Sequence, residues 1–190
     1  MPNWTYNTIT ITGEKEELAK MMNDAVKHDD GDGEIRFSSW FPIPETFLKY
    51  DTTNHPNGEG FEVGYGYRDG LGNSGIATEE LIAEYKRATK EQREKYGVVG
   101  WYDYNKKYFG CKWDCEVRVD DTEQDDETLV LSVMTPWTDC GAFLLRMSAR
   151  YPTLRFSNYA EYEDDGWQQT DYHNGVSVLI DEGDTPEEED

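Results

Sequence analysis

Residues 97–115 read GVVGWYDYNKKYFGCKWDC, and the residue pattern differs on either side of them. Upstream, apolar side chains recur at helical spacing. Thr78 followed by Glu79 and Glu80 predicts a helix start, Leu81, Ile82, Tyr85, Ala88 and Tyr96 form an apolar stripe, and Gly97 closes the helix. Downstream the period drops to two. Cys115, Val117 and Val119 alternate with Glu116, Arg118 and Asp120, the pattern of a half-buried strand. Within the stretch, Tyr102–Phe109 predicts a second short helix ended by Gly110.

Working outward toward the C-terminus, Thr128–Met134 is an apolar run suited to a central strand. Thr138 and Asp139 cap a predicted helix whose buried stripe is Phe143, Leu144 and Met147, ended by Tyr151-Pro152. Leu154–Tyr162 is a further strand. Asn174-Gly175 is a hairpin signal between Trp167–Tyr172 and Val176–Ile180. Toward the N-terminus, Ile9 and Ile11 alternate with Thr8 and Thr10 in a strand over Trp4–Thr12. Leu18, Met21, Met22, Ala25 and Val26 then mark a helix with Glu14, Glu16 and Glu17 in its first turn, where the helix dipole favours acids. Ile35–Phe41 reads as a short strand stopped by Pro42 and Pro44, and Phe47–Gly75 as loop.

Joined up, the elements give an α+β fold: a ferredoxin-like βαββαβ two-layer sandwich interrupted by a long, partly helical insertion, with an extra C-terminal hairpin. Residues 1–180 read as a single α+β domain, with a strand-helix unit at 1–29, the insertion at 30–112, and sheet and helix at 113–180. Residues 181–190 read as a disordered acidic tail.

The chain has 190 residues and a net charge of −22, with 36% hydrophobic and 14% aromatic residues. Such charge predicts solubility, repulsion from nucleic acid and from anionic membranes, and attraction to basic partners. The opening MPNWTYNTIT carries no charged-then-apolar leader, and no apolar run reaches membrane-spanning length. With three cysteines in no regular framework, a cytoplasmic protein with reduced thiols is expected.

The residues Met1-Pro2-Asn3-Trp4-Thr5-Tyr6-Asn7, Phe109-Gly110-Cys111-Lys112-Trp113-Asp114, Thr135-Pro136-Trp137 and Tyr151-Pro152-Thr153-Leu154 resemble those of phage and plasmid proteins with a YubB-type ferredoxin-like domain. The resemblance implies a ferredoxin-like fold and a mobile-element origin, hence the host-cell cytoplasm. It carries over no catalytic residue.

Candidate sites follow from residue types. Gly70-Leu71-Gly72-Asn73-Ser74-Gly75 fits a dinucleotide cradle by spacing, but no buried strand leads into it. Glu79 and Glu80 also occupy the helix start where a pyrophosphate would sit, so it reads as a loop. Cys111 and Cys115, with His28, His55 and His173 far apart, do not make a zinc set, and no metal or other cofactor is expected. Trp101, Tyr102, Tyr104, Trp113 and Trp137 form an aromatic pocket or a seam between insertion and sheet. The seam is favoured, because these rings offer the largest burial in a leucine-poor chain. Trp113 and Trp137 are therefore expected to be buried, with Trp113→Ala costing about 3–5 kcal/mol.

Asp103, Asp114 and Asp139 lie near these rings in sequence and are candidates for acid-base work. The acidic connections contain Asp120, Asp121, Glu123, Asp125, Asp126 and Glu127, and then Glu161, Glu163, Asp164 and Asp165. They are candidates for binding a basic protein partner, although solvated turns carry such charge too. The favoured reading is a non-enzymatic acidic interaction protein that binds a basic host or viral protein, as a nucleic-acid charge mimic or counter-defence factor. The alternative is a small hydrolase or nucleotide-processing enzyme with a pocket between insertion and sheet.

Overall fold

The computed structural model, which describes residues 2–26, 34–49, 63–64, 66–120, 125–163 and 166–184, places the alternating Trp4–Thr12 segment inside a seven-stranded antiparallel sheet. In chain order the elements are β1 (Trp4–Thr12), α1 (Lys15–Asn23), β2 (Ile35–Arg36), α2 (Phe37–Trp40), α3 (Glu45–Lys49), β3 (Gly66–Arg68), β4 (Ser74–Ile76), α4 (Glu79–Tyr96), α5 (Gly100–Tyr108), β5 (Glu116–Asp120), β6 (Thr128–Pro136), α6 (Gly141–Arg150), β7 (Arg155–Tyr162), β8 (Gly166–His173) and β9 (Val176–Gly183). The chain divides into two units, one made of Met1–Pro42 with Tyr108–Asp190 and the other of Ile43–Lys107.

The first unit holds the large sheet, in the order β2-β5-β6-β1-β7-β8-β9. β1 pairs along its whole length with β6 (Trp4↔Pro136 to Thr12↔Thr128) and from Thr5 onward with β7 (Thr5↔Tyr162 to Thr12↔Arg155). One face is buried, with Ile9, Ile11, Leu129, Leu131, Val133 and Phe156 pointing into it. Facing them is a layer built from α1, α2 and α6. The Phe37 and Phe143 rings stack at 4.3 Å, and Trp40 packs on Phe143 at 5.8 Å while its indole N–H donates to the Met21 carbonyl at 2.8 Å. Each such fully buried ring contributes about 1.5–3 kcal/mol. Polar groups share this face. Asn7 donates from Nδ2 to Thr135 Oγ1 (2.9 Å) and to the Val133 carbonyl (3.2 Å), and it accepts from Asn158 Nδ2 at 3.1 Å.

Three expectations change here. The strand read over Ile35–Phe41 is two residues long and is followed by a helical turn, because Phe37 and Trp40 reach the Phe143 side of the core only from helical backbone. These residues and Tyr108–Lys112, read as insertion, belong to the sheet unit. Phe109 packs on Phe37 at 5.5 Å. The hairpin turn at Asn174-Gly175 forms with φ of 51° and 74°, as a type I′ turn needs. β9 does not stop at Ile180, however: Asp181–Gly183 pair with Trp167–Gln169, so the acidic end begins as strand. Residues 185–190 lie outside the described residues.

In the second unit α4 has the expected caps. Thr78 Oγ1 accepts from the Leu81 N–H at 3.2 Å, and Gly97 closes the helix at φ 72°. Gln92 reaches from α4 to the Thr46 carbonyl (2.7 Å), and Phe47 packs on Tyr104 (4.6 Å) and Tyr96 (5.1 Å). The segment read as loop-like from Phe47 to Gly75 carries the end of α3, all of β3 and the start of β4. Its Gly70–Gly75 motif is the hairpin turn and the start of β4. Asp69 ties that turn by accepting from the Leu71 and Asn73 N–H groups at 3.0 and 2.8 Å.

Candidate functional site

The alternation that buries Ile9 and Ile11 turns Trp4, Tyr6 and Thr8 to the other face of the sheet. Register extends that face across strands. One rung runs Met134–Tyr6–Glu161–Trp167, and the next Arg118–Ser132–Thr8–Tyr159–Gln169–Asp181. Tyr6, Met134 and Tyr159 are 46%, 47% and 40% exposed, and Tyr159 stacks on Trp167 at 5.4 Å. This face is therefore uncovered, aromatic and polar among the described residues.

At the end of the sheet where β1 starts, three indoles stand in a row: Trp4 to Trp113 at 5.7 Å, and Trp113 to Trp137 at 6.1 Å. The Lys112 ammonium lies 5.6 Å from the Trp113 ring and 5.7 Å from the Trp137 ring. Trp113 and Trp137 are 37% and 55% exposed, which corrects the expectation that both are buried. The reason is positional. Trp113 precedes β5 and Trp137 follows β6, so both emerge at the sheet's end rather than beneath the helices. Trp137 also has φ 63°, a left-handed backbone that a bulky residue rarely adopts, with its N–H bonded to the Asn3 carbonyl at 2.8 Å. Such strain costs on the order of 1–3 kcal/mol and gathers at functional positions.

Two grooves border this row, one at Trp4 and Trp113 and the other at Trp137. The first, about 530 Å³, is lined by Trp4, Tyr6, Trp113, Met134, Glu116 and Arg118 among others. Arg118 Nε donates to Glu116 at 2.9 Å and holds that carboxyl below its usual range. The second groove, about 510 Å³, is lined by Trp137, Tyr162, Trp167, Gln168, Glu182, Gly183 and Asp184. Burial, with the nearby Asp139 charge, pushes the Tyr162 hydroxyl up to about 12, so it stays protonated. Indole faces beside carboxylates suit a cationic group, attracted by ring quadrupole and charge together.

The acidic candidates are split between the two ends of the sheet. Asp120 and Asp125–Glu127 sit beside the end of β1, where the Gly13 N–H donates to the Glu127 carbonyl and Lys15 pairs with Asp126 at 2.6 Å. Glu161 and Glu163 sit at the opposite end. Glu163 Oε2 accepts from the Trp4 N–H at 2.8 Å, and the Glu163 N–H donates to the Trp4 carbonyl at 3.1 Å. A nine-residue strand separates the clusters by roughly 27 Å, so they do not form one patch. Asp121, Glu123, Asp164 and Asp165 lie outside the described residues.

The five aromatic candidates are likewise divided. Trp101, Tyr102 and Tyr104 belong to the second unit, where Tyr104 is buried and Trp101 meets Tyr102 at 6.0 Å. Trp113 and Trp137 belong to the sheet unit. Trp4, Tyr6, Met134, Trp167, Glu182 and Asp184 escaped sequence reading as site residues. The parity of the β1 alternation was the available signal for Trp4 and Tyr6.

The carboxylates considered for acid-base work have structural roles where contacts are seen. Asp114 accepts from the Ser38 N–H and hydroxyl, and Asp139 Oδ1 from the Gly141 N–H at 3.1 Å. Burial holds the Asp139 carboxyl above its usual range. Cys111, Cys115 and Cys140 are buried free thiols. Cys111 is pushed up by its contact with Cys115 and by burial, and Cys140 by burial, so both are poor nucleophiles. Among the described residues no three His, Cys, Asp or Glu side chains are placed to hold a metal ion, and no helix is long and apolar enough to cross a membrane.

Compared with known proteins, the chain matches no family model and no curated protein. Among solved structures it is similar to the crystal structure of a protein api92 from Yersinia pseudotuberculosis, of the family DUF1281. The TM-score is 0.49 at 9% identity, covering 97% of this chain and 98% of that one.

Proposed function

We propose that this is a non-enzymatic acidic interaction protein, and that it takes a basic protein partner at the tryptophan-bearing end of its sheet. The observation that carries the reading is Trp137. This indole is more than half exposed, sits on strained backbone and lines a groove edged by the Glu182 and Asp184 carboxylates. Tryptophan and tyrosine dominate binding energy where they can be desolvated, and surrounding charge speeds encounter with the opposite sign. The first sheet unit reads as ferredoxin-like, supported by the antiparallel order β5-β6-β1-β7 with α1 and α6 as the two crossovers. Phage or mobile-element kinship and mimicry of nucleic-acid charge belong to the same proposal and rest on the sequence resemblance and the charge of −22.

The test is positional. Oligolysine is titrated into the full chain at low and at high salt, and indole fluorescence is followed. Trp137→Ala, and a triple neutralisation of Glu163, Glu182 and Asp184 to their amides, each remove most of the binding. The matching neutralisation of Asp125, Asp126 and Glu127 at the other end changes it little. Equal losses from the two triple variants would mean bulk charge attraction and would overturn the reading.

A further inference from the structure

β9 is an edge strand, and among the described residues it is paired on one side only, with β8. Its apolar residues are Val176, Val178, Leu179 and Ile180, which are 61%, 56%, 51% and 52% exposed. An uncovered edge of eight residues, apolar over its first half, is a template for another strand. The register shifts between Gln169 and Thr170, which leaves Ile180 as the extra residue of a bulge and Val176–Leu179 as the regular part of the edge. Beyond the bulge the strand becomes acidic, and Glu182, Gly183 and Asp184 line the second groove beside Trp137 and Trp167.

From this continuity of free backbone, carboxylates and indoles we infer that the partner binds as an added β-strand along β9. The inference rests on the proposed basic-partner reading and specifies the partner's form. An antiparallel strand, the pairing used throughout this sheet, runs its N-terminal end past Asp181 and Glu182 and its C-terminal part along Val176–Leu179. The complementary segment is therefore extended, with one or two arginines or lysines followed by β-branched residues. Its leading cation enters the groove between the Trp137 and Trp167 indoles, with Glu182 and Asp184 as counter-charges. Main-chain bonds supply affinity in this mode and the pockets supply selectivity. A second copy of the chain is the other candidate for the edge, but it would bring a further −22 charge against this one.

The probe is a blocked peptide with two arginines at its N-terminal end followed by alternating valine and threonine. Two further versions are N-methylated on alternate residues, one for each edge of the strand. Residue-resolved amide hydrogen exchange of the full chain, with and without peptide, reads the outcome. Expected results are at least tenfold slower exchange at alternate amides of Val176–Leu179, and at least tenfold weaker binding of one N-methylated version. Trp137→Ala or Glu182→Gln lowers affinity about fivefold. If both N-methylated peptides bind as well as the parent and β9 exchange is unchanged, strand addition is wrong while the basic-partner reading stands. A failure of the unmethylated peptide to bind, where oligolysine binds with the positional dependence given above, also overturns strand addition alone. A dimer by sedimentation with β9 already protected in the absence of peptide would assign the edge to a second copy and overturn the inference.

Discussion

Trp137 and Asp139 are two residues apart and show opposite uses of strain. At Trp137 the left-handed backbone is unsuited to any side chain with a Cβ, so the two truncations differ. Trp137→Gly removes ring and strain together, whereas Trp137→Ala removes the ring and keeps the strain. The glycine variant is expected to be the more stable of the two by about 1 kcal/mol in urea denaturation. Both lose binding of a basic peptide. At Asp139 burial raises the carboxyl above 3.8 in the folded chain, so the folded state holds this proton to higher pH than the unfolded state does. The stability this contributes is complete below pH 3.8 and is lost as pH rises through the raised value. Asp139→Asn keeps an acceptor for the Gly141 N–H without the buried charge. Denaturation should find it more stable than the parent at neutral pH, and the advantage should vanish below 3.8. An unchanged difference across pH would remove the titration from the account.

Among the elements, the β8–β9 hairpin is constrained at both ends, by the Asn174-Gly175 turn and by Gly166. β8 opens on Gly166 with φ 92°, where a Cβ would collide with the Gly183 carbonyl oxygen. Gly166→Ala is expected to cost about 2–3 kcal/mol, because the end of β9 must move off β8. It should also impair the second groove, read as loss of peptide binding at a temperature where the variant is folded. Elements of this kind were partly legible in advance. β1, α4 and the Asn174-Gly175 turn carry local signals, namely alternation, the Thr78 and Gly97 caps, and a residue pair that tolerates positive φ. The turn at Phe37–Trp40 carries none, since four residues hold barely one helical period and Phe143, a hundred residues away, decides where Phe37 goes. The acidic end of β9 reads as tail in the sequence because its composition hides the pairing with β8. Exposure of Trp113 and Trp137 was illegible for a related reason: whether an aromatic is core or surface depends on which end of which strand carries it.

For the whole molecule, charge sets two responses of opposite sign. A net −22 destabilises the compact state by self-repulsion, so added salt should raise the melting temperature. The same salt should weaken capture of a basic peptide, because that attraction is screened. Thermal melts and peptide titrations over one salt series check both, and a melting temperature that falls with salt would show that specific ion pairs outweigh the repulsion. The sheet is also an assembly in time. Its interior strand β1 pairs with β6 and β7, whose first residues follow Thr12 by more than a hundred positions. At about 5–20 residues per second of synthesis, β1 leaves the ribosome roughly 6–25 s before either neighbour exists. For that interval Ile9 and Ile11 belong to a lone amphipathic strand with both edges open. The nascent chain is thus expected to keep this apolar face unpaired until its second half arrives.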